Sequence, residues 1–335
     1  MGPSVASFEA EVAAYLGVRH AVGVNSGTDA LTIILRSMGV GTGDEVITSP
    51  FTFFATPEAI SNVGASPVFV DIDPRTFNLA PSLVSQAITE KTKAILPVHL
   101  FGQASEMGAL MEVASQHGLQ VVEDAAQAMG GAFEGRRLGS IGDAGALSFF
   151  PSKNLGGFGD GGMIVTNNDH LAEQARMLRT HGAKAKYKNE VIGYNSRLDE
   201  IQAALLRVKL GSLDEANEGR RAAASRYDEM LASSDTITIP YVHPSAFHVF
   251  HQYTVRVGGG LRDAAVAALA EAGVSAAVYY PVPCDQLGPY KRSARAVATE
   301  SSIASREVLS LPIWPTLSPD DQSRVCQALL AATQR

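Results

Sequence analysis

From His20 onward, short apolar runs rich in Val and Ile alternate with segments whose apolar positions recur every three or four residues. The runs HAVGV (20–24), EVITS (45–49), PVFVD (67–71), KAILPV (93–98), QVVEDA (120–125), GALSFF (145–150) and GMIVT (162–166) read as strands. Helical patterns intervene at 28–38, 54–63, 81–89 and 106–117, several closed by a glycine suited to a C-cap. This alternation predicts an α/β fold with one mainly parallel sheet of those seven strands, flanked by helices. Functional side chains are then expected where strands hand over to helices.

After Gly193 the pattern changes to a long amphipathic stretch over 198–231, a strand-like QYTVRV (252–257), the helix RDAAVAALAEAG (262–273) and a last helix after Ser318. A chain of 335 residues suits one large and one small domain. The expected division is a large domain over 1–215, then a linking helix and a small C-terminal α+β domain over 216–335, the change falling between residues 210 and 240.

Composition narrows the function classes. Hydrophobic residues at 46% and charged residues at 18% fit a globular enzyme rather than a disordered or fibrous chain. A net charge of −7 and a pI near 5.6 argue against nucleic acid as a partner, so an anionic ligand must be held by local groups. Cys284 and Cys326 are too few for a disulfide framework and lack metal-site spacing, so a reducing cytoplasm and no metal are expected. No leader-like segment opens the chain, and the longest apolar stretch, 264–280, is interrupted by Glu271; neither export nor membrane insertion is expected.

Four segments carry candidate chemistry. In SFFPSKNLGGFGDGG (148–162), Lys153 sits in a glycine-rich loop between two apolar strands. A Schiff-base lysine must be neutral to attack an aldehyde, whereas an unperturbed lysine is neutral only roughly once in a few thousand at pH 7. Burial would correct that, although a solvated loop lysine is the commoner fate. In VVEDAAQA (121–128), strand alternation sends Glu123 and Asp124 to opposite faces. Asp124 can pair with a protonated pyridine nitrogen, with Gln127 donating to the ring's phenolic oxygen, or it can simply cap a following helix. NSGTDAL (25–31) puts free N–H groups at a helix start near Thr28, which suits a phosphate monoester but also an ordinary N-cap. FTFFAT (51–56) places Phe53 at a strand-to-helix turn, able to stack on a flat cofactor or to pack in the core.

The order of phosphate turn, aromatic, strand-end Asp and loop Lys resembles the fold-type I pyridoxal-phosphate superfamily, and specifically the DegT/DnrJ family of nucleotide-sugar aminotransferases. The resemblance runs over nearly the whole chain, through SGTDAL, GDEVITSPFTFFAT, GASPVFVDIDP, TKAILPVHLFGQ, VVEDAAQA, SFFPSKNLGGFGDGGMIVTN, GYNSRLDEIQAALL and LSLPIWP. It implies pyridoxal 5′-phosphate as cofactor, with Lys153 joined to it, Asp124 at the pyridine nitrogen, Gln127 at the phenolic oxygen and Phe53 stacked on the ring. Gly27, Thr28 and Ser148 would hold the phosphate. The family draws an asparagine from the neighbouring subunit, which matches Asn195 in GYNSRLDE, so a homodimer with shared active sites is implied. His181, Tyr187 and Tyr280 would lie near the sugar nucleotide.

The implied reaction moves an amino group, with glutamate as the expected donor, onto a dTDP- or UDP-linked 3-keto sugar. Relatives with histidine in place of the lysine are dehydratases, so Lys153 argues for transamination. Amination at C4 is the alternative within the family. The chain departs from the family pattern twice. Members usually carry a further N-terminal segment with a helix before the stretch that matches Gly2 and Phe8, which leaves either a misplaced gene start or a missing part of the pocket or dimer contact. In YYPVPCDQL (279–287), Asp285 stands where the family commonly has histidine, and an anion there would alter contacts to substrate. These departures keep open a catalytically silent sugar-nucleotide sensor. A dinucleotide oxidoreductase is disfavoured: GFGDGG (157–162) satisfies the glycine fingerprint but precedes an apolar run instead of opening a helix.

Overall fold

The computed structural model describes residues 1–291 and 298–334. All seven expected strands form: β1 (His20–Val24), β2 (Glu45–Thr48), β3 (Ser66–Phe69), β4 (Thr92–Leu96), β5 (Gln120–Asp124), β6 (Ala144–Ser148) and β7 (Gly162–Thr166). They make one sheet in the order β1-β7-β6-β5-β4-β2-β3. Pairing is parallel from β3 to β6, while β7 runs antiparallel to both β1 and β6. A parallel neighbour needs a helical crossover. No helix separates β6 from β7, so the loop carrying Lys153 returns directly and leaves its lysine at the sheet's end.

Helices α1 (Pro3–Leu16), α2 (Gly27–Ser37), α3 (Ala55–Asn62), α4 (Pro81–Ala87), α5 (Met107–His117) and α6 (Asp169–Leu178) cover the sheet. On one face Val22, Val46 and Ile164 pack with Ile33 and Ile34 of α2; on the other, Ile47, Ile95 and Val121 pack with Leu110 of α5. Burial on both faces is why these strands read as nearly continuous apolar runs.

Helix α1 lies where no element is expected from sequence, because only Val5, Phe8, Val12 and Leu16 mark its buried side amid alanines. It packs on β1 and on the helix over Glu200–Leu210, with Phe8 edge-on to Phe149 at 5.2 Å. The amphipathic stretch 198–231 divides at Gly211 and Ser212 into α7 (Glu200–Leu210) and α8 (Leu213–Leu231). Helix α8 spans two cores: Leu213 packs with the large sheet's helices, whereas Ala223, Tyr227 and Leu231 pack with a second cluster. The expected division at residue 215 therefore falls inside a helix that belongs to both.

The second cluster is formed by a three-stranded antiparallel sheet, β8 (Ile237–Thr238), β9 (Tyr253–Val257) and β10 (Val308–Leu311), with α9 (Arg262–Glu271) and α11 (Pro319–Thr333), while α10 (Thr299–Glu307) lies against β9 and packs Ala304 with Phe51 and Phe101. Among the described residues no helix is long and apolar enough to cross a membrane.

Candidate active site

A cleft of about 600 Å³ opens at the C-terminal ends of the strands, and it gathers Gly27, Thr28, Phe53, Asp124, Gln127, Ser148, Lys153 and Tyr280. Segments separated by more than two hundred residues thus meet where an open α/β sheet presents its ligand crevice.

Each side chain is set by the end of an element. Asp124 is the last residue of β5, and alternation turns it to the cleft while Glu123 faces away. Glu123 is fully buried and accepts from the backbone N–H groups of Gly139, Ile141 and Gly142 and from the ring of His99. Asp124 is not a helix cap, because turns follow it and no helix begins until Asp169. Its Oδ2 accepts from Thr56 Oγ1 at 2.9 Å and its Oδ1 from the Ala126 N–H at 3.2 Å. Burial pushes the Asp124 carboxyl up; the bonds from Thr56 and Ala126 and the charges of Lys153 and His99 oppose it.

Lys153 is the counterpart. Its backbone N–H donates to the carbonyl of Phe150, which tightens the loop. Burial lowers the pKa of its amine and Asp124 opposes the shift, so the side chain is not the solvated loop lysine that was the commoner alternative. One group is driven toward the neutral amine and the other is a buried carboxyl in want of a cation.

At the first residues of α2, the ordinary N-cap reading of NSGTDAL holds and leaves N–H groups over. Ser26 is the N-cap and accepts from the Asp29 N–H at 3.1 Å. The N–H groups of Gly27 and Thr28 then have no acceptor among the described residues. Ser148 lies against this turn, so closely that a Cβ on Gly27 would come within 2.9 Å of the serine's own Cβ. Phe53 is 59% exposed, which rules out core packing and leaves its ring in the cleft, 6.3 Å from Tyr280. Gln127 accepts from the Phe101 N–H at 2.7 Å and donates to Tyr280 Oη at 3.1 Å. One of its amide hydrogens remains for a ligand.

Three residues singled out in the sequence lie outside this cleft. Asn195 is exposed in a separate concavity with Asn25 and Arg197. His181 and Tyr187 belong to an exposed segment around the small hairpin Ala183–Ala185 and Lys188–Asn189, and Tyr187 is 87% exposed. Asp285 corrects an expectation. It is buried in a short turn, lines none of the cleft, accepts from the Ala298 N–H through Oδ2 and leaves Oδ1 unpaired. Burial raises its carboxyl pKa, and its place outside the cleft lining keeps it from meeting a ligand there.

The site also holds residues that sequence reasoning missed. Thr56 ends the quoted FTFFAT and positions Asp124. His251 lines the cleft from the segment two residues before β9, where HVFHQY offered only a pair of histidines beside a strand.

Such a site suits an acid–base reaction on a phosphate-bearing, flat cofactor, and comparison with known proteins agrees. Residues 1–330 match the DegT/DnrJ/EryC1/StrS aminotransferase family. The "Pleiotropic regulatory protein" of Geobacillus stearothermophilus is 49% identical over 334 residues, covering 98% of this chain and 89% of the relative. The dTDP-3-amino-3,4,6-trideoxy-alpha-D-glucose transaminase of Streptomyces venezuelae is 45% identical, covering 100% of this chain and 88% of that enzyme. The crystal structure of S. venezuelae DesV in complex with ketimine intermediate superposes with a TM-score of 0.97 at 45% identity, covering 100% of this chain and 90% of that one. The chain belongs to the DegT/DnrJ/EryC1/StrS family of aminotransferases, with the fold-type I architecture of its structural neighbours.

Proposed function

We propose that this aminotransferase uses pyridoxal 5′-phosphate to move an amino group from glutamate onto a nucleotide-linked keto sugar, a dTDP- or UDP-linked 3-keto-deoxyhexose. The observation that carries this reading is the pairing of a buried lysine amine shifted toward neutrality with a buried carboxyl shifted toward its acid, in one cleft. Perturbed titrating groups of opposite sense mark acid–base sites.

The residues present fit the cofactor. Gly27 and Thr28 N–H groups, the dipole of α2 and the Ser148 hydroxyl would hold its phosphate. Phe53 would lie on its ring, Gln127 would donate to its phenolic oxygen, and Asp124 would accept from its ring nitrogen. When bound, the group supplies an electron-withdrawing ring that stabilises negative charge at the carbon bearing the nitrogen. Asp124 keeps the ring nitrogen's proton in place. Lys153 Nζ, its pKa lowered by burial, would take a proton from the donor's α-carbon and return protons as general acid.

Asn195 would complete the phosphate site of a second copy, with His181 and Tyr187 nearby to meet the sugar nucleotide and Tyr280 meeting it from within the same chain. Support for a homodimer comes from α7, where Ile201 and Val208 are 75% and 79% exposed on one apolar flank. Two buried free cysteines suit a reducing cytoplasm.

Incubating the purified protein with glutamate and a panel of dTDP- and UDP-linked 3-keto and 4-keto sugars tests the reading. Nitrogen at C3 in the product NMR spectrum is expected. Nitrogen at C4 would move the assignment to the C4-aminating branch. The name of the Geobacillus relative gives weight to a second reading, a silent sensor. That reading requires sugar-nucleotide binding with no product from any member of the panel.

A further inference from the structure

Asn154 follows Lys153 directly, and its partners fix its side-chain amide. Its Nδ2 donates to Asn217 Oδ1 at 2.8 Å and to the carbonyl of Val249 at 3.0 Å. A carbonyl only accepts, so the atom facing Val249 is the NH₂ group and the atom facing His251 Nδ1, at 3.2 Å, is oxygen. His251 must therefore donate from Nδ1, which makes Nε2 the bare nitrogen of a neutral ring. Burial, with Lys153 and Arg220 near, lowers the pKa of the imidazole well below its ordinary value and holds it neutral.

The chain of bonds continues to the other half of the site. Asn217 is fully buried in α8, and its Nδ2 donates to the carbonyl of Met129 at 3.1 Å, in the segment that begins at Asp124. This approach requires glycine at 130, where φ is +88° and a Cβ would lie 2.4 Å from Asn217 Nδ2. Two asparagines thus tie the Lys153 loop to the Asp124 segment through the helix that joins the two cores.

We propose that Asn217, Asn154 and His251 form a positioning relay for Lys153, which fixes the amine's place relative to Asp124 and holds His251 as its Nδ1–H tautomer with Nε2 left as an acceptor in the cleft. The proposal rests on Lys153 being the cofactor-bearing amine. With the relay intact, the Lys153 loop is held in place, and the amine keeps the lowered pKa that its surroundings give it. Breaking either asparagine frees the loop, brings more water to Nζ and raises its proton affinity toward that of an ordinary lysine.

The test uses cofactor-free protein. Lys153 is methylated with formaldehyde and cyanoborohydride, followed by peptide mass spectrometry, and its rate at pH 7.5 is normalised to its alkaline limit to cancel differences in access. Asn154→Leu and Asn217→Leu should each lower that ratio by about tenfold, the change in neutral fraction for one pKa unit. Thr254→Val, which breaks a buried hydroxyl pair with Ser310 in the small sheet, should leave it unchanged. In ¹⁵N NMR spectra at pH 7, His251 should show a pyrrole-like Nδ1 and a pyridine-like Nε2, and Asn154→Leu should mix the tautomers. Folded asparagine variants with the wild-type ratio would overturn the relay, as would a protonated Nε2 in the wild type; if neither variant folds, the wild-type spectrum decides. A wild-type Lys153 that titrates like a surface lysine would instead sink the assignment of Lys153 itself.

Discussion

At the scale of single residues, the site is a pair of groups placed where neither is comfortable without a ligand. In the folded apoprotein Lys153 binds its proton less tightly than in the unfolded chain. Below its ordinary value of 10.5 the unfolded state therefore holds more protons, and stability rises with pH toward that value. Asp124 has the opposite sign. Its raised pKa means the folded state holds the extra proton, so its burial costs stability as pH climbs above the ordinary 3.8. Replacing both, as Lys153→Met with Asp124→Leu, should stabilise the apoprotein at neutral pH by about 1–4 kcal/mol, the usual gain when a buried charged pair becomes apolar. Thermal unfolding across pH should show the gain shrinking toward both extremes. The single change Asp124→Asn should lower kcat by about a hundredfold or more, since an amide cannot hold the ring proton as a carboxylate does. Equal turnover in that variant would remove Asp124 from the mechanism.

Much of this was legible from residue types at strand ends. Asp124, Lys153, Phe53 and the Gly27–Thr28 turn are local signals, each attached to an element boundary, and the cleft gathers them all. The Thr56 bond to Asp124 and the Asn154–Asn217 bond span 68 and 63 residues, and no local pattern announces a contact of that range. Asp285 misled because sequence shows a residue's charge but not its burial.

At the scale of elements, periodicity found the seven strands because a doubly covered sheet makes each an apolar run. It failed at α1 and α10, whose buried sides are made largely of small residues or a single apolar row, and at β10, a buried run of only four residues. Helix α1 is held by one apolar row and by Glu200, whose carboxylate accepts from the N–H groups of Gly2 and Ser4 at 2.6 and 2.9 Å. Phe8→Ala should cost about 3–5 kcal/mol through the cavity left against Phe149, whereas Glu200→Ala should cost about 1 kcal/mol as a lost cap. Urea midpoints measure both, and equal losses would contradict this division of labour between core and cap.

At the scale of the whole molecule, α8 joins two cores, and the exposed flank of α7 lies near Asn195 in sequence and outside the cleft of its own chain. Sedimentation should therefore give twice the chain mass of 35.3 kDa. Placing aspartate at Ile201 and Val208 should yield monomers with little transaminase activity; a fully active monomer would exclude any role for a second copy's Asn195. The most direct measurement of the central claim is reduction of the cofactor-loaded protein with borohydride, followed by peptide mass mapping. A pyridoxyl phosphate adduct on Lys153 alone is the result expected, and an adduct on another lysine, or none, would contradict it.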